Sequence, residues 1–160
     1  MTMQTIRFGE IEYDNTQVIT FPEGLPGLES TRRYLLVHTE ETEPIFWLQS
    51  LEDAALSLPV ANAFELQDDF ALDVDEDDLA LLRIENPEDV MVLVVVVIPA
   101  DVALMTANFA APVLIQPQAG LGKQIFTAGA SYSVRQPVFA AVMAALERRQ
   151  SDAGVDPQGE

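Results

Sequence analysis

The sequence predicts an all-β fold: a small β-barrel-like or sandwich domain of short strands with a C-terminal helix. Val90–Ile98 is an unbroken apolar run with valine at 92 and 94–97. β-Branched side chains are stiff at χ1 and pack well on a pleated surface, so this run reads as a strand. Short apolar segments recur along the chain between clusters of Pro, Gly, Asn and Asp, as they do in antiparallel β domains. One helical pattern, VFAAVMAALERR, comes late, at 138–149.

Taken in order, Thr5–Tyr13 reads as two short strands or one bent strand. Ile6 and Phe8 share one parity and Ile11 and Tyr13 the other, and the phase changes at Gly9, the mark of a bulge or tight turn. Asp14-Asn15 is a turn and Gln17–Phe21 the next strand. Pro22–Gly27 holds two Pro and two Gly in six residues; preset and positive φ values make it a rigid corner. Tyr34–Thr39 and Ile45–Ser50 form a hairpin around the acidic loop Glu40–Pro44, with Trp47 as a core or rim anchor. Leu56–Ala63 is a short strand in which Pro59 marks an edge or bulge. Leu79–Ile84 is predicted as strand, and Asn86–Asp89 as a turn.

The central strand follows. Its continuous apolarity, in place of alternation, implies that both of its faces are covered. Pro99 and Asp101 end it. A loop through Thr106-Ala107-Asn108 leads to the strand Val113–Ile115, and Lys123–Thr127 is another. Gln136-Pro137 opens the helix, since proline suits a first helical turn. Val138, Val142, Ala145 and Leu146 recur on one face, and Arg148 and Arg149 suit the C-terminal end of the dipole. The domain is drawn at 1–147, with a disordered tail over 148–160, where Ser151–Glu160 is polar with Gly and Pro.

The chain has 160 residues, 26 acids, 8 bases, a net charge of −18 and no cysteine. That length supports one domain with its own core. The absence of cysteine excludes a disulfide framework and thiolate chemistry, and the N-terminus shows no secretory signal. The longest apolar run falls well short of the ~20 residues a bilayer span needs. A cytoplasmic protein with no membrane partner is expected. The acidity argues against direct nucleic-acid contact, because phosphate recognition needs Lys and Arg. It favours a basic protein partner, reached through complementary fields, though acid also simply aids solubility.

Candidate chemistry is sparse. The single histidine, His38, lies in a strand and reads as structural. Asp73-x-Asp75-x-Asp77 resembles the start of an EF-hand loop, but Asp78 and Ile84 stand where glycine and glutamate belong. Gly122-Lys123 lacks the upstream glycine and the Ser or Thr of a phosphate-binding loop. No catalytic residue, metal site or cofactor is expected, and the protein is not expected to be an enzyme.

Four stretches carry a resemblance: FPEGLPGLE at Phe21–Glu29, Leu48-Gln49-Ser50, Thr106-Ala107-Asn108 with Ala111-Pro112-Val113, and Gly122-Lys123-Gln124. In this order and spacing, from about Ile6 to Tyr132, the chain resembles the FliW flagellar assembly factor family. It departs from that family at Leu28, where an aromatic is usual, at Ala63, where proline is, and at Gln116, where asparagine is. The resemblance implies a small β-barrel-like domain with a non-enzymatic role. Its members bind flagellin before export and bind the RNA-binding translational repressor CsrA, relieving repression of flagellin synthesis.

Two sets of residues are candidates for partner binding. Seven of the eleven residues from Asp68 to Asp78 are acidic, and Asp68, Asp69, Asp73, Asp75, Glu76, Asp77 and Asp78 would offer a negative surface to a basic partner. The competing expectation is a solvated loop. Gln49 and Asn108 would offer polar amide contacts, against the expectation that both hold the Thr106–Pro112 loop in place. Two other functions fit the composition: an acidic decoy that mimics nucleic acid and titrates some other basic protein, and a carboxylate-based hydrolase. High like charge predicts a monomer when free.

Overall fold

A computed structural model describes residues 1–127 and 132–154. β1 (Thr2–Thr5) and β2 (Gly9–Glu12) form an antiparallel hairpin that turns just before Gly9, whose φ is +68°. The phase change at this glycine is thus a turn between two strands. The strand expected over Gln17–Phe21 contracts to β3 (Ile19–Thr20). Asp14 and Gln17 cap each other's backbone and draw Asn15–Gln17 into a 3₁₀ turn. β4 (Arg33–His38) and β5 (Phe46–Ser50) pair as the expected hairpin, and β5 then pairs with β6 (Ser57–Asn62). Two short helices follow, α1 (Ala63–Leu66) and α2 (Glu76–Leu81). The remaining elements are β7 (Met91–Val97), β8 (Thr106–Ala107), β9 (Val113–Gln116), β10 (Leu121–Gln124), β11 (Gln136–Pro137) and α3 (Phe139–Gly154).

β3, β4, β5, β6, β7, β9 and β10 close into a seven-stranded barrel, because β7 pairs with β9 as well as with β6. Neighbours around a ring with an odd number of members cannot all run antiparallel. The alternation fails once, at the parallel contact of β3 with β10, where Thr20 faces Leu121 and donates its N–H to Gly120 at 2.8 Å. The backbones come close at this seam. A Cβ on Gly120, whose φ is +67°, would lie 2.8 Å from the Val18 carbonyl oxygen. A Cβ on Gly122 would lie 2.6 Å from Phe21 Cζ.

The closed ring explains the unbroken apolarity of β7. Leu93 belongs to the cluster inside the barrel with Phe21, Tyr34, Leu48, Val60 and Ile115. Val92, Val94 and Val96 point the other way, into a cluster with Trp47, Leu66, Phe70, Phe109 and Val142 that the helices cover. One parity fills the barrel and the other roots its helical cover. Trp47 is buried as expected, donates Nε1–H to Thr42 Oγ1 at 3.1 Å, and lies 4.1 Å below the Arg7 guanidinium.

Several expectations change. Leu79–Ile84 is not a strand: Glu76–Leu81 is helical, and Arg83 at φ 56° turns the chain out of it. Gln136-Pro137 does not open the helix but pairs with Thr106-Ala107 as an edge strand, where the missing proline donor is harmless. α3 starts at Phe139 and continues beyond the expected boundary at 147 to Gly154. Residues 155–160 of the expected tail lie outside the described residues. Arg149 therefore sits within the helix and clamps it, pairing with Glu65 of α1 at 2.7 Å and with Glu43 at 3.0 Å. His38 stands half-exposed at the end of β4, 3.1 Å from Glu43.

The seam yields a test. Phe21 is fully buried and packs edge-on against Tyr34 at 5.4 Å, so its ring has little room to give way to an added methyl. Gly122→Ala is expected to destabilise the protein by about 1–3 kcal/mol. Urea denaturation should show a lower midpoint at unchanged slope, and Phe21→Leu combined with Gly122→Ala should cost less than the sum of the two.

Candidate functional site

The acidic segment is a shaped ledge between two short helices. Asn62 Oδ1 accepts from the N–H groups of Phe64 and Glu65 and caps α1. Phe70 anchors the connection, buried among Phe64, Phe109 and Tyr132 with ring centroids 5.8, 5.4 and 4.7 Å away. Tyr132 also accepts the Ala71 N–H through its hydroxyl oxygen. Asp75 Oδ1 then accepts from the Asp78 N–H and caps α2, whose first turn carries Glu76, Asp77 and Asp78. Acids are favoured at that end of a helix, so the charge run is partly a folding signal.

Asp68, Asp69, Asp73, Asp75, Glu76 and Asp77 are exposed, and among the described residues none of the six forms an ion pair. Asp78 differs. Helical spacing puts it on the same side as the fully buried Leu82, and it is only 9% exposed. Its carboxylate receives Lys123 Nζ at 2.5 Å, while Glu23 lies 3.5 Å from the same ammonium. The hydrogen bond that Lys123 donates to the Asp78 carboxylate holds its pKa above the usual lysine value, against the opposing pull of desolvation. Asp78 is thus an internal tie between α2, β10 and the Pro22–Gly27 corner, not part of an open negative surface. Glu23, Asp75, Asp78 and Lys123 line a concavity of about 410 Å³ whose edge carries the exposed Phe126.

The two amides are supports. Gln49 is fully buried, so no polar contact surface includes it. Its Nε2 donates to the Ser50 carbonyl at 3.0 Å and reaches those of Asp53 and Ala54 at 3.4 Å. It therefore braces the β5–β6 loop, not the Thr106–Pro112 loop. Asn108 is half-buried, and its Oδ1 accepts from the N–H groups of Ala110 and Ala111 at 3.1 Å. This holds its own loop in a turn. Gln116 donates to the Arg83 carbonyl at 3.1 Å and so ties β9 to the exit of α2.

A second concavity of about 410 Å³ opens under the ledge, lined by Leu72, Val74, Leu79 and Ile84, with Phe64 at its mouth and Asp73 and Glu85 on its rim. Phe64 and Glu85 are absent from the candidates drawn from the sequence. The spacing Asn62-x-x-Glu65 is the signal that marks a helix start there and brings Phe64 into view.

The model of a family described as FliW protein matches residues 2–138. A flagellar assembly factor FliW from Clostridium beijerinckii is 35% identical over 130 residues, 81% of this chain and 92% of that protein. One from Thermosipho africanus is 35% identical over 130 residues, 81% of this chain and 90% of that protein. A crystal structure of the flagellar assembly factor FliW superposes with a TM-score of 0.82 at 27% identity, covering 87% of this chain and 97% of that one.

The Lys123–Asp78 tie is directly testable. Asp78→Asn keeps the shape and removes the charge, and should cost about 1.5–3 kcal/mol at neutral pH. A base whose value is raised on folding contributes its full stabilisation below its unfolded value and loses it as pH climbs through the folded one. The stability gap between the native protein and Asp78→Asn should therefore hold up to about pH 10.5, the ordinary lysine value, and narrow above it. Chemical denaturation across that range measures it.

Proposed function

The chain belongs to the FliW family of flagellar assembly factors, and on that premise we propose that it binds flagellin in the cytoplasm as a chaperone-like partner and antagonises the translational repressor CsrA. The two activities are one device. Abundant flagellin occupies the factor and leaves the repressor free to silence synthesis. Export of flagellin frees the factor, which then captures the repressor and restores synthesis.

The observation that carries the CsrA half is the ledge of six exposed carboxylates without ionic partners among the described residues, on a protein of net charge −18. An RNA-binding repressor is basic, and a strongly negative protein without phosphate-binding chemistry suits it as an antagonist. Neither partner requires a catalytic group. No helix among the described residues is long and apolar enough to cross a membrane.

Calorimetric titration of the folded protein with flagellin monomer, and separately with CsrA, at two salt concentrations tests the proposal. Both should bind. The repressor interaction should weaken several-fold as the screening length shortens toward ~8 Å at physiological salt. Saturation with flagellin should reduce the heat of repressor binding. Silence with both partners would overturn the proposal and favour an acidic decoy for another basic protein.

A further inference from the structure

The concavity under the acidic ledge combines an apolar floor with a charged rim. Leu72, Val74, Leu79 and Ile84 form the floor, and Phe64 at the mouth is 43% exposed. Phe64 also lines an adjoining cleft against α3, where Asp68 stands, so one aromatic ring joins two hollows. Burying apolar surface is favourable, and an aromatic beside a pocket is the usual anchor point of a protein interface. Asp73 and Glu85 on one rim and Asp68 on the other are exposed and, among the described residues, unpaired. The cation of the adjoining cleft, Arg148, donates to the Glu65 carbonyl at 3.3 Å.

From this juxtaposition we infer that the cleft docks a basic protein segment, which inserts an apolar side chain beside Phe64 and pairs flanking Lys or Arg with Asp68, Asp73 and Glu85. The rim selects the occupant. A second copy of this chain would bring rims of like charge together, and a nucleic acid would meet carboxylates with its phosphates. A neutral apolar segment would partly desolvate the rim without neutralising it. The inference rests on reading the chain as a protein-binding factor, and it names the surface and the chemistry that surface selects.

The test uses the full chain, isotope-labelled, and a synthetic amphipathic helix with leucine on one face and lysine on the other. Amide shifts should cluster at Phe64, Leu72–Val74, Leu79 and Ile84. Phe64→Ala should weaken binding about tenfold or more. The triple change Asp68→Asn, Asp73→Asn, Glu85→Gln should weaken it comparably and flatten its salt dependence. Removing the same charge elsewhere, with Glu10→Gln, Glu12→Gln and Glu40→Gln, should leave affinity within about twofold. These polar surface changes keep the question answerable even if the Phe64 variant is unstable.

Several results would overturn the inference: shifts spread over the whole acidic surface, equal effects of the two triple changes, equal affinity for a leucine-free lysine peptide, concentration-dependent self-association through this face, or no binding. A peptide that docks elsewhere removes the site but leaves the flagellin and repressor titrations standing. Failure of those titrations, with the peptide seated beside Phe64, removes the functional proposal and keeps the site.

Discussion

The structure depends on a parity constraint. Six antiparallel contacts and one parallel contact close seven strands into a ring, and the parallel one is a short seam between β3 and β10. A seam with one facing residue pair has little hydrogen bonding to hold it. Close packing supplies the rest: Gly120 and Gly122 let the backbones approach, and Phe21 fills the space a side chain on Gly122 would take. Closure in turn leaves the seven barrel strands without the long open edges that make a small β protein prone to aggregate. It also gives β7 two buried faces, and the outer of these is where the helices attach.

The ledge shows how one segment serves fold and surface together. Its acids cap α2 at Asp75 and tie that helix to the barrel through Asp78 and Lys123. Those left over face solvent. The apolar residues between them turn inward: Phe70 into the core, Leu72 and Val74 to line the hollow beneath. Stability therefore fixes the geometry of the charges that remain outside.

Strong periodicity was legible in the sequence. The β4–β5 hairpin, β7 and the buried stripe Val138, Val142 and Ala145 follow directly from spacing. The four motifs that carry the family resemblance fall at the corner before β4, the buried end of β5, the Asn108 turn and the seam. Very short elements were not legible. β8 and β11 have two residues each and exist only through distant partners, β8 beside β7 and β11 beside β8, so no local pattern announces them. α2 is hidden for another reason: Asp side chains compete for backbone hydrogen bonds and favour caps and turns, so an Asp-rich run resembles a loop until Asp75 is recognised as a cap. The inward turn of Asp78 follows once that helix is drawn. The burial of Gln49 does not, because its partners are backbone carbonyls of a loop that only the folded hairpin brings near.

The N-terminal hairpin gives the molecule a built-in optical gauge. Trp47 is the sole tryptophan, and its indole is roofed by Arg7 and flanked edge-on by Phe8 at 6.1 Å, both from the β1–β2 turn. Lifting that roof would admit water to the ring and redden its emission while the barrel stayed intact. Intrinsic fluorescence thus reports whether this lid is seated, separately from circular dichroism, which follows the strands themselves.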